Sequence, residues 1–408
     1  MLLMWACFSI QNRPNKLCMS TKIHTPTGIT YPRPIYLDCN ATTPIEAEVL
    51  DTICLFLKDE FGNDGSRTHE YGGKARQAVQ GAREQIARVV GCEREEVVFT
   101  SGATEANNLA ILGLEKHGRS ANQMHIVSTQ IEHKAVLEPL EEMARRGFEI
   151  TLVSVDKSGR VDPAAIERAL KPNTVLVSVM HANNETGVIQ PIEEIAAKLE
   201  RHGAYFHVDA AQTFGKLIDP LRSRRIDLIS ISAHKTFGPK GIGALIARRR
   251  EFDKVPLAAL FFGGGQERGL RPGTLPVHLI AGFGKAAHLA LLDHKKRKLA
   301  CTQFRQKLLD GLSALKFECH GDQEHTLPHV LNLRIKGINS ETAMVALREF
   351  IAISNGSACT SSSYRPSHVL EAMGLEPDAI SGAIRLSWCH LTLNPDWGSV
   401  VSALSSLA

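Results

Sequence analysis

The chain has 408 residues, of which 43% are hydrophobic and 22% charged, with 47 basic against 43 acidic side chains. That length suits one large core with a smaller companion and excludes a single small module, while 32 Gly and 18 Pro are too few for a disordered or collagen-like chain. A net charge of +4 gives no reason to expect nucleic acid as a direct ligand. Residues 1–34 contain Pro14, Pro26, Pro32 and Pro34 with few periodic apolar positions, and predict a poorly ordered extension for which Met19 is an alternative start. The opening MLLMWACFSI lacks the basic flank and the small-residue cleavage site of a secretory signal. No segment approaches the run of about 18 apolar residues that a membrane helix needs, so no membrane partner is expected. Nine cysteines, an odd number without a CxxC pair, read as reduced thiols of a cytoplasmic protein.

From Tyr36 onward, apolar runs of strand length alternate with helical patterns. EEVVFTSG, MHIVSTQ, FEITLVSVD, TVLVSVMH, YFHVDAA, DLISISAH and GIGALIAR are each bounded by Gly, polar or charged residues. Between them EANNLAILGLEKHG, HKAVLEPLEEMARRG and PIEEIAAKLERHG repeat apolar residues at three- and four-residue intervals and end at glycine. The alternation predicts an α/β fold, a mostly parallel seven-stranded sheet sandwiched by helices, whose ligand sits beyond the carboxyl ends of the strands. GFGKAAHLALLDHKKRKLACTQFRQKLLDGLSAL then reads as one long helix able to link two domains. Its DHKKRK stretch, residues 293–298, reads as a solvated helix face. HVLNLRIKG, SETAMVALREF, AISNGSA, SHVLEAMG and GAIRLSW follow as a small α+β domain. The expected division is a large domain over 45–291 and a small one built from 35–44 and 292–408.

The most informative stretch is DLISISAHKTFGPKGIG, where a strand ends in a small-residue turn carrying Ser232, His234 and Lys235. A lysine in such a turn is usually a surface residue, but its company argues otherwise. Asp209 ends the strand YFHVDAA, with Gln212 three residues later. If the two strands are parallel neighbours, an acid and an amine face one crevice. That pairing suits pyridoxal 5'-phosphate (PLP): the amine condenses with the aldehyde, and the carboxylate keeps the pyridine nitrogen protonated so that the ring accepts electrons. The SGATE turn, residues 101–105, precedes a helix, so its backbone amides and Thr104 could cradle the phosphate. His133 ends another strand and could stack on the ring.

YLDCNATTP, SGATEANN, EHKAVL, NNETG, HVDAAQ, SAHKTFGPKG, GGGQERGLRPGT and NGSACTSSS, taken together and in order, resemble the successive motifs of the NifS/IscS-type cysteine desulfurases, in the class-V aminotransferase group of fold type I PLP enzymes. The resemblance implies that Lys235 bonds the cofactor, that Asp209 pairs with its pyridinium, and that Gln212 donates to its phenolate oxygen. His133 stacks on the ring and serves acid-base steps. Ala103, Thr104, Ser232 and His234 hold the phosphate, joined by Thr274 from the other subunit of a homodimer. Asn184 and Arg385 clamp the carboxylate of the substrate, L-cysteine.

PLP alone leaves transamination, decarboxylation and elimination open. Cys359 discriminates, because it lies among Gly, Ser, Thr and Ala in AISNGSACTSSSYRPSHVLEAMG, neighbours that make a poor core and suit an exposed, travelling nucleophile. The resemblance implies that its thiolate takes the substrate sulfur as a persulfide, leaves alanine, and passes the sulfur to an acceptor protein. Cys39 and Cys389 depart from the family pattern; Cys39 reads as a neutral replacement or as a second thiol near the substrate entrance. Arg67 and Thr68 in FGNDGSRTHEYG, with YLDCNATT, resemble the subgroup that serves DNA phosphorothioation. Iron-sulfur cluster assembly, tRNA thiolation and selenocysteine lysis remain alternatives, as does a sulfur-transfer scaffold without PLP chemistry, which the presence of Lys235, Asp209 and Cys359 argues against.

Overall fold

The computed structural model describes residues 22–24, 30–356 and 366–407. Two short strands, β1 (Lys22–His24) and β2 (Thr30–Pro32), pair antiparallel within the stretch read as an extension. They are followed by β3 (Ile35–Tyr36), α1 (Ala47–Lys58) and α2 (Glu70–Val90). Neither helix stood out in the sequence. The inward face of α2 is made of Ala75, Val79, Ala82 and Ile86, and Gly72, Gly73 and Gly81 dilute its helical signal.

Strands and helices then alternate. In chain order they are β4 (Val97–Thr100), α3 (Ala103–Leu112), α4 (Glu115–Ser120), β5 (His125–Thr129), α5 (Lys134–Arg145), β6 (Glu149–Val153), α6 (Pro163–Ala169), β7 (Thr174–Met180), α7 (Ile192–Lys198), β8 (Tyr205–Asp209), β9 (Leu228–Ser232) and β10 (Gly243–Ala247). All seven strand-length apolar runs therefore enter one sheet, in the order β4-β10-β9-β8-β7-β5-β6. β10 runs antiparallel to both its neighbours, and the other pairs are parallel. Both faces are covered. Phe206, Val208, Ile229 and Ile231 pack into one core, while Leu176, Leu228 and Leu245 pack into another on the opposite face with α3 and α5. Alternation along a strand then decides where the polar ends point. Asp209 and Ser232 keep the parity of the α3 face, which is where the site lies.

The helix α8 (Val277–Gly311) is 35 residues long, about 52 Å at the α-helical rise. Its first half buries Ile280, Phe283 and Ala287 in the large core; its second half buries Cys301, Phe304 and Leu308 in a second core with Leu331, Leu386 and Trp388. That second core is formed with β11 (Phe317–Cys319), β12 (Val330–Ile335), α9 (Ser340–Leu347), β13 (Ile351–Ala352), β14 (Ala383–Ser387) and α12 (Trp397–Ser405), while α10 (His368–Ala372) and α11 (Pro377–Ser381) pack instead in a smaller cluster with Ile131 and Met180. β11, β12 and β14 make an antiparallel sheet, and β13 pairs with β3 from the other end of the chain. The DHKKRK stretch is not solvated throughout. Lys295, Lys296 and Lys298 are exposed, but Arg297 turns inward and meets Glu46 at 2.9 Å.

Candidate active site

A cleft of about 490 Å³ opens at the carboxyl ends of β8 and β9. Ala103, Thr104, His133, Asn184, Asp209, Gln212, Ser232, His234, Lys235 and Arg385 all line it. Thr274 does not line this cleft and is exposed on the chain's own surface. Cys359 lies outside the described residues.

The acid and the amine come together because β8 and β9 are parallel neighbours, with Asp209 opposite Ser230. Lys235 ends the short 3-10 turn Ala233–Lys235 that follows β9. Its Nζ donates to the Asn40 carbonyl and, at 3.1 Å, to that of Ala41. The Asn40 carbonyl also accepts from Gln212 Nε2 at 3.1 Å. Asp209 is 6% exposed, and its carboxylate accepts from Asn107 Nδ2 at 2.7 Å and from the Ala211 amide at 2.9 Å. These two donors fix the orientation of the carboxylate in the cleft.

His133 caps α5, its Nδ1 accepting from the Ala135 amide at 3.1 Å. That bond fixes the neutral tautomer, leaving Nε2 as the proton-bearing nitrogen. Burial lowers the His133 pKa; Asp209 opposes that shift and Lys235 reinforces it. For His234, burial and then Lys235, Lys240 and Lys216 push the pKa down to about 4, so its ring is a neutral donor or acceptor at physiological pH. Its Nδ1 lies 3.2 Å from Thr42 Oγ1.

The start of α3 is an anion cradle. Gly102 precedes it without a side-chain cap, so the first amides of the helix have no intrahelical acceptor, and the helix dipole adds positive potential there. A Cβ on Gly243 would lie 2.7 Å from the Gly102 Cα and 2.5 Å from the Ile231 carbonyl oxygen, so only glycine lets β10 pass this close beneath the cradle. On the opposite wall, Arg385 of β14 donates to the Asn184 carbonyl at 3.0 Å and to Asp38 Oδ1 at 2.6 Å, while its buried Nε has no partner among the described residues.

Three contributors escaped sequence reasoning. Asn107 could have been found as a polar residue on an otherwise apolar helical face. The Asn40 carbonyl and the Asp38 carboxylate carry no such signal, because their partners are nearly 200 and 350 residues away. Cys39 and Cys389, the two departures from the family pattern, are buried against each other and Phe237. Their hydrogen bond raises the Cys39 pKa well above the usual thiol range and, with Thr392, holds that of Cys389 near 6. Cys39 does not line the cleft.

An amine, a doubly supported carboxylate, a helix start with free amides and neutral histidine rings together fit a phosphorylated pyridine aldehyde. The buried Gln212 Oε1, Asn107 Oδ1 and Asn40 Oδ1 atoms around the cleft have no partner among the described residues, as expected of a site shaped for a polar guest.

Comparison with known proteins agrees with this chemistry. The family described as Aminotransferase class-V matches residues 35–395. A cysteine desulfurase IscS of Anaeromyxobacter sp. (strain Fw109-5) is 44% identical over 370 residues, covering 90% of this chain and 91% of that protein. Among solved structures, DndA from Streptomyces lividans is 47% identical with a TM-score of 0.77, covering 86% of this chain and 98% of that one. SspA in complex with cysteine is 36% identical with a TM-score of 0.78, covering 88% of this chain and 100% of that one. With relatives matched along nearly their whole length and a cleft built for the same cofactor, the chain belongs to the NifS/IscS-type cysteine desulfurases of the class-V aminotransferase family.

Proposed function

We propose that the protein is a PLP-dependent cysteine desulfurase, which converts L-cysteine to L-alanine and moves its sulfur to Cys359 as a persulfide and on to an acceptor protein. The observation that carries this is the juxtaposition of Lys235 and Asp209 across β8 and β9 beside the free amides of α3. When bound, PLP supplies an electron-accepting ring that stabilises negative charge on the substrate. Lys235 anchors it, Asp209 keeps a proton on its ring nitrogen, and Gln212 turns an N–H toward its phenolate oxygen. Thr104, Ser232, His234 and the Ala103 amide hold the phosphate. His133 covers the ring and offers its Nε2 proton. Arg385, already oriented by Asn184 and Asp38, takes the substrate carboxylate together with Asn184.

Cys359 completes the reaction. Its sulfur bonds to the substrate sulfur as the carbon-sulfur bond breaks and a proton returns to carbon, so that thiol plus cysteine becomes persulfide plus alanine without an outside oxidant. The large domain, 45–291, holds the cofactor, while 35–44 and 292–408 supply Cys359 and Arg385. A homodimer brings Thr274 to the partner's cleft, a reading supported by the exposed Leu260, Phe261 and Phe262 in the same segment. Among the described residues no helix is long and apolar enough to cross a membrane, and we place the enzyme in the cytoplasm. Arg67 and Thr68 favour an acceptor of the DNA phosphorothioation class.

The test is to incubate the PLP-loaded protein with L-cysteine, assay alanine, and locate bound sulfur by peptide mass spectrometry. Alanine with one extra sulfur on the Cys359 peptide is expected, and Cys359→Ser should lower alanine formation about 100-fold or more while leaving the cofactor spectrum intact. Alanine formed without sulfur on Cys359 would overturn the mechanism.

A further inference from the structure

A second cavity, of about 330 Å³, lies behind the wall of the cleft. Cys39, Lys216, Phe237, Cys301, His329 and Trp388 are among the residues that line it. The Lys216 Nζ meets His329 Nε2 at 3.3 Å, and no carboxylate among the described residues lies within ion-pair distance of it. Burial lowers the Lys216 pKa, and the nearby Cys39, Cys301 and Cys389 side chains oppose that shift. His329 is enclosed, and burial together with Lys216 and Arg305 holds its pKa well below the usual imidazole range, so it stays a neutral ring beside the lysine. Arg297, on the same wall, is already taken by Glu46. A half-buried ammonium at a cavity wall with no carboxylate beside it is costly, and an anionic head that reaches it recovers part of that cost.

We propose that this cavity is a second ligand site, for a small organic anion with one carboxylate or sulfonate head on an apolar or aromatic body. The head pairs with Lys216, and the body lies against Phe237, Trp388 and Leu327. The volume falls in the range of small-molecule pockets. The cavity also shares its wall with the catalytic cleft. Cys39 precedes Asn40, whose carbonyl holds Lys235. Phe237 donates its amide to Thr43 Oγ1 at 2.8 Å, and that hydroxyl donates to the His234 carbonyl at 2.9 Å. A ligand seated there touches the segments that position the cofactor lysine.

The experiment titrates the PLP-loaded full-length protein with anilinonaphthalene sulfonate and, separately, with its uncharged counterpart N-phenylnaphthylamine, reading probe fluorescence excited through tryptophan. Lys216→Met should weaken the sulfonate by about tenfold or more and leave the uncharged probe unchanged. Cys301→Phe, which fills the cavity without altering charge, should abolish saturable binding of both. Lys295→Met, exposed on the same helix, should alter neither. Cofactor absorbance and circular dichroism confirm that each variant is folded, and the Cys301→Phe arm decides the matter should Lys216→Met not fold. Equal sulfonate binding by wild type and Lys216→Met, or unchanged binding of both probes by Cys301→Phe, would overturn the proposal.

Discussion

Glu132 sits beneath His133 with none of its surface exposed. Its Oε1 accepts from Thr129 Oγ1 at 2.7 Å and from the Met180 amide at 3.0 Å, while its Oε2 has no partner. Burial pushes its pKa from 4.5 up to about 8. The folded protein therefore keeps a proton that the unfolded chain gives up above about pH 4.5, so stability falls as pH rises through that window and levels off beyond about pH 8. The whole gap is worth about 5 kcal/mol, of which roughly 2.5 kcal/mol falls between about pH 6 and about pH 8.5. Glu132→Gln keeps an acceptor for Thr129 and Met180 but has no proton to lose. Urea unfolding of the PLP-loaded protein at fixed concentration, with both forms at both pH values, should show the glutamine variant gaining roughly 2.5 kcal/mol on wild type at the higher pH. Parallel pH profiles would mean that Glu132 is ionised in the fold and that the reasoning from its unpartnered oxygen is wrong.

Two further outcomes follow from contacts around the cofactor. Asn107→Ala removes one of the two donors on Asp209; a charge-assisted hydrogen bond of this kind is worth about 1.5–3 kcal/mol, so kcat for alanine formation at saturating PLP should drop by about tenfold or more. An unchanged kcat would show that the Ala211 amide alone suffices to hold Asp209. Gly243→Ala forces the α3 cradle off the β10 backbone, and titration of the apoprotein with PLP should show weaker affinity with unaltered helical content. Unaltered affinity would remove the cradle from the phosphate site.

What could be read in the sequence was what depends on neighbours in the chain. The seven strands are apolar runs of the right length between turn residues, and Asp209 announces itself by ending one of them and Lys235 by ending the short turn after another. Thr104 and His133 mark strand-to-helix junctions. The helix α2 stayed hidden because small residues, Gly72, Ala75, Ala82 and Ala87, alternate with Val79 and Ile86 on its inward face and weaken the periodicity in large apolar residues. Arg297 looked like one more surface cation until Glu46, 251 residues earlier, turned it inward. The pairing of Cys39 with Cys389 and the grip of Asp38 on Arg385 were equally silent, since nothing local to either partner encodes a contact across some 350 residues.

That same long reach bears on how the protein emerges from the ribosome. β3 and the segment through Asn40 leave the exit tunnel early, yet their partners are Ile351–Ala352 and Ser387. At about 5–20 residues per second, the early segment waits for roughly 20–70 seconds before its sheet exists. Lys235, whose amine meets the Asn40 carbonyl in the finished fold, is itself made 195 residues after it. Arg385, which lines the same cleft, is later still, so the lining of the cofactor pocket is complete only on a nearly complete chain.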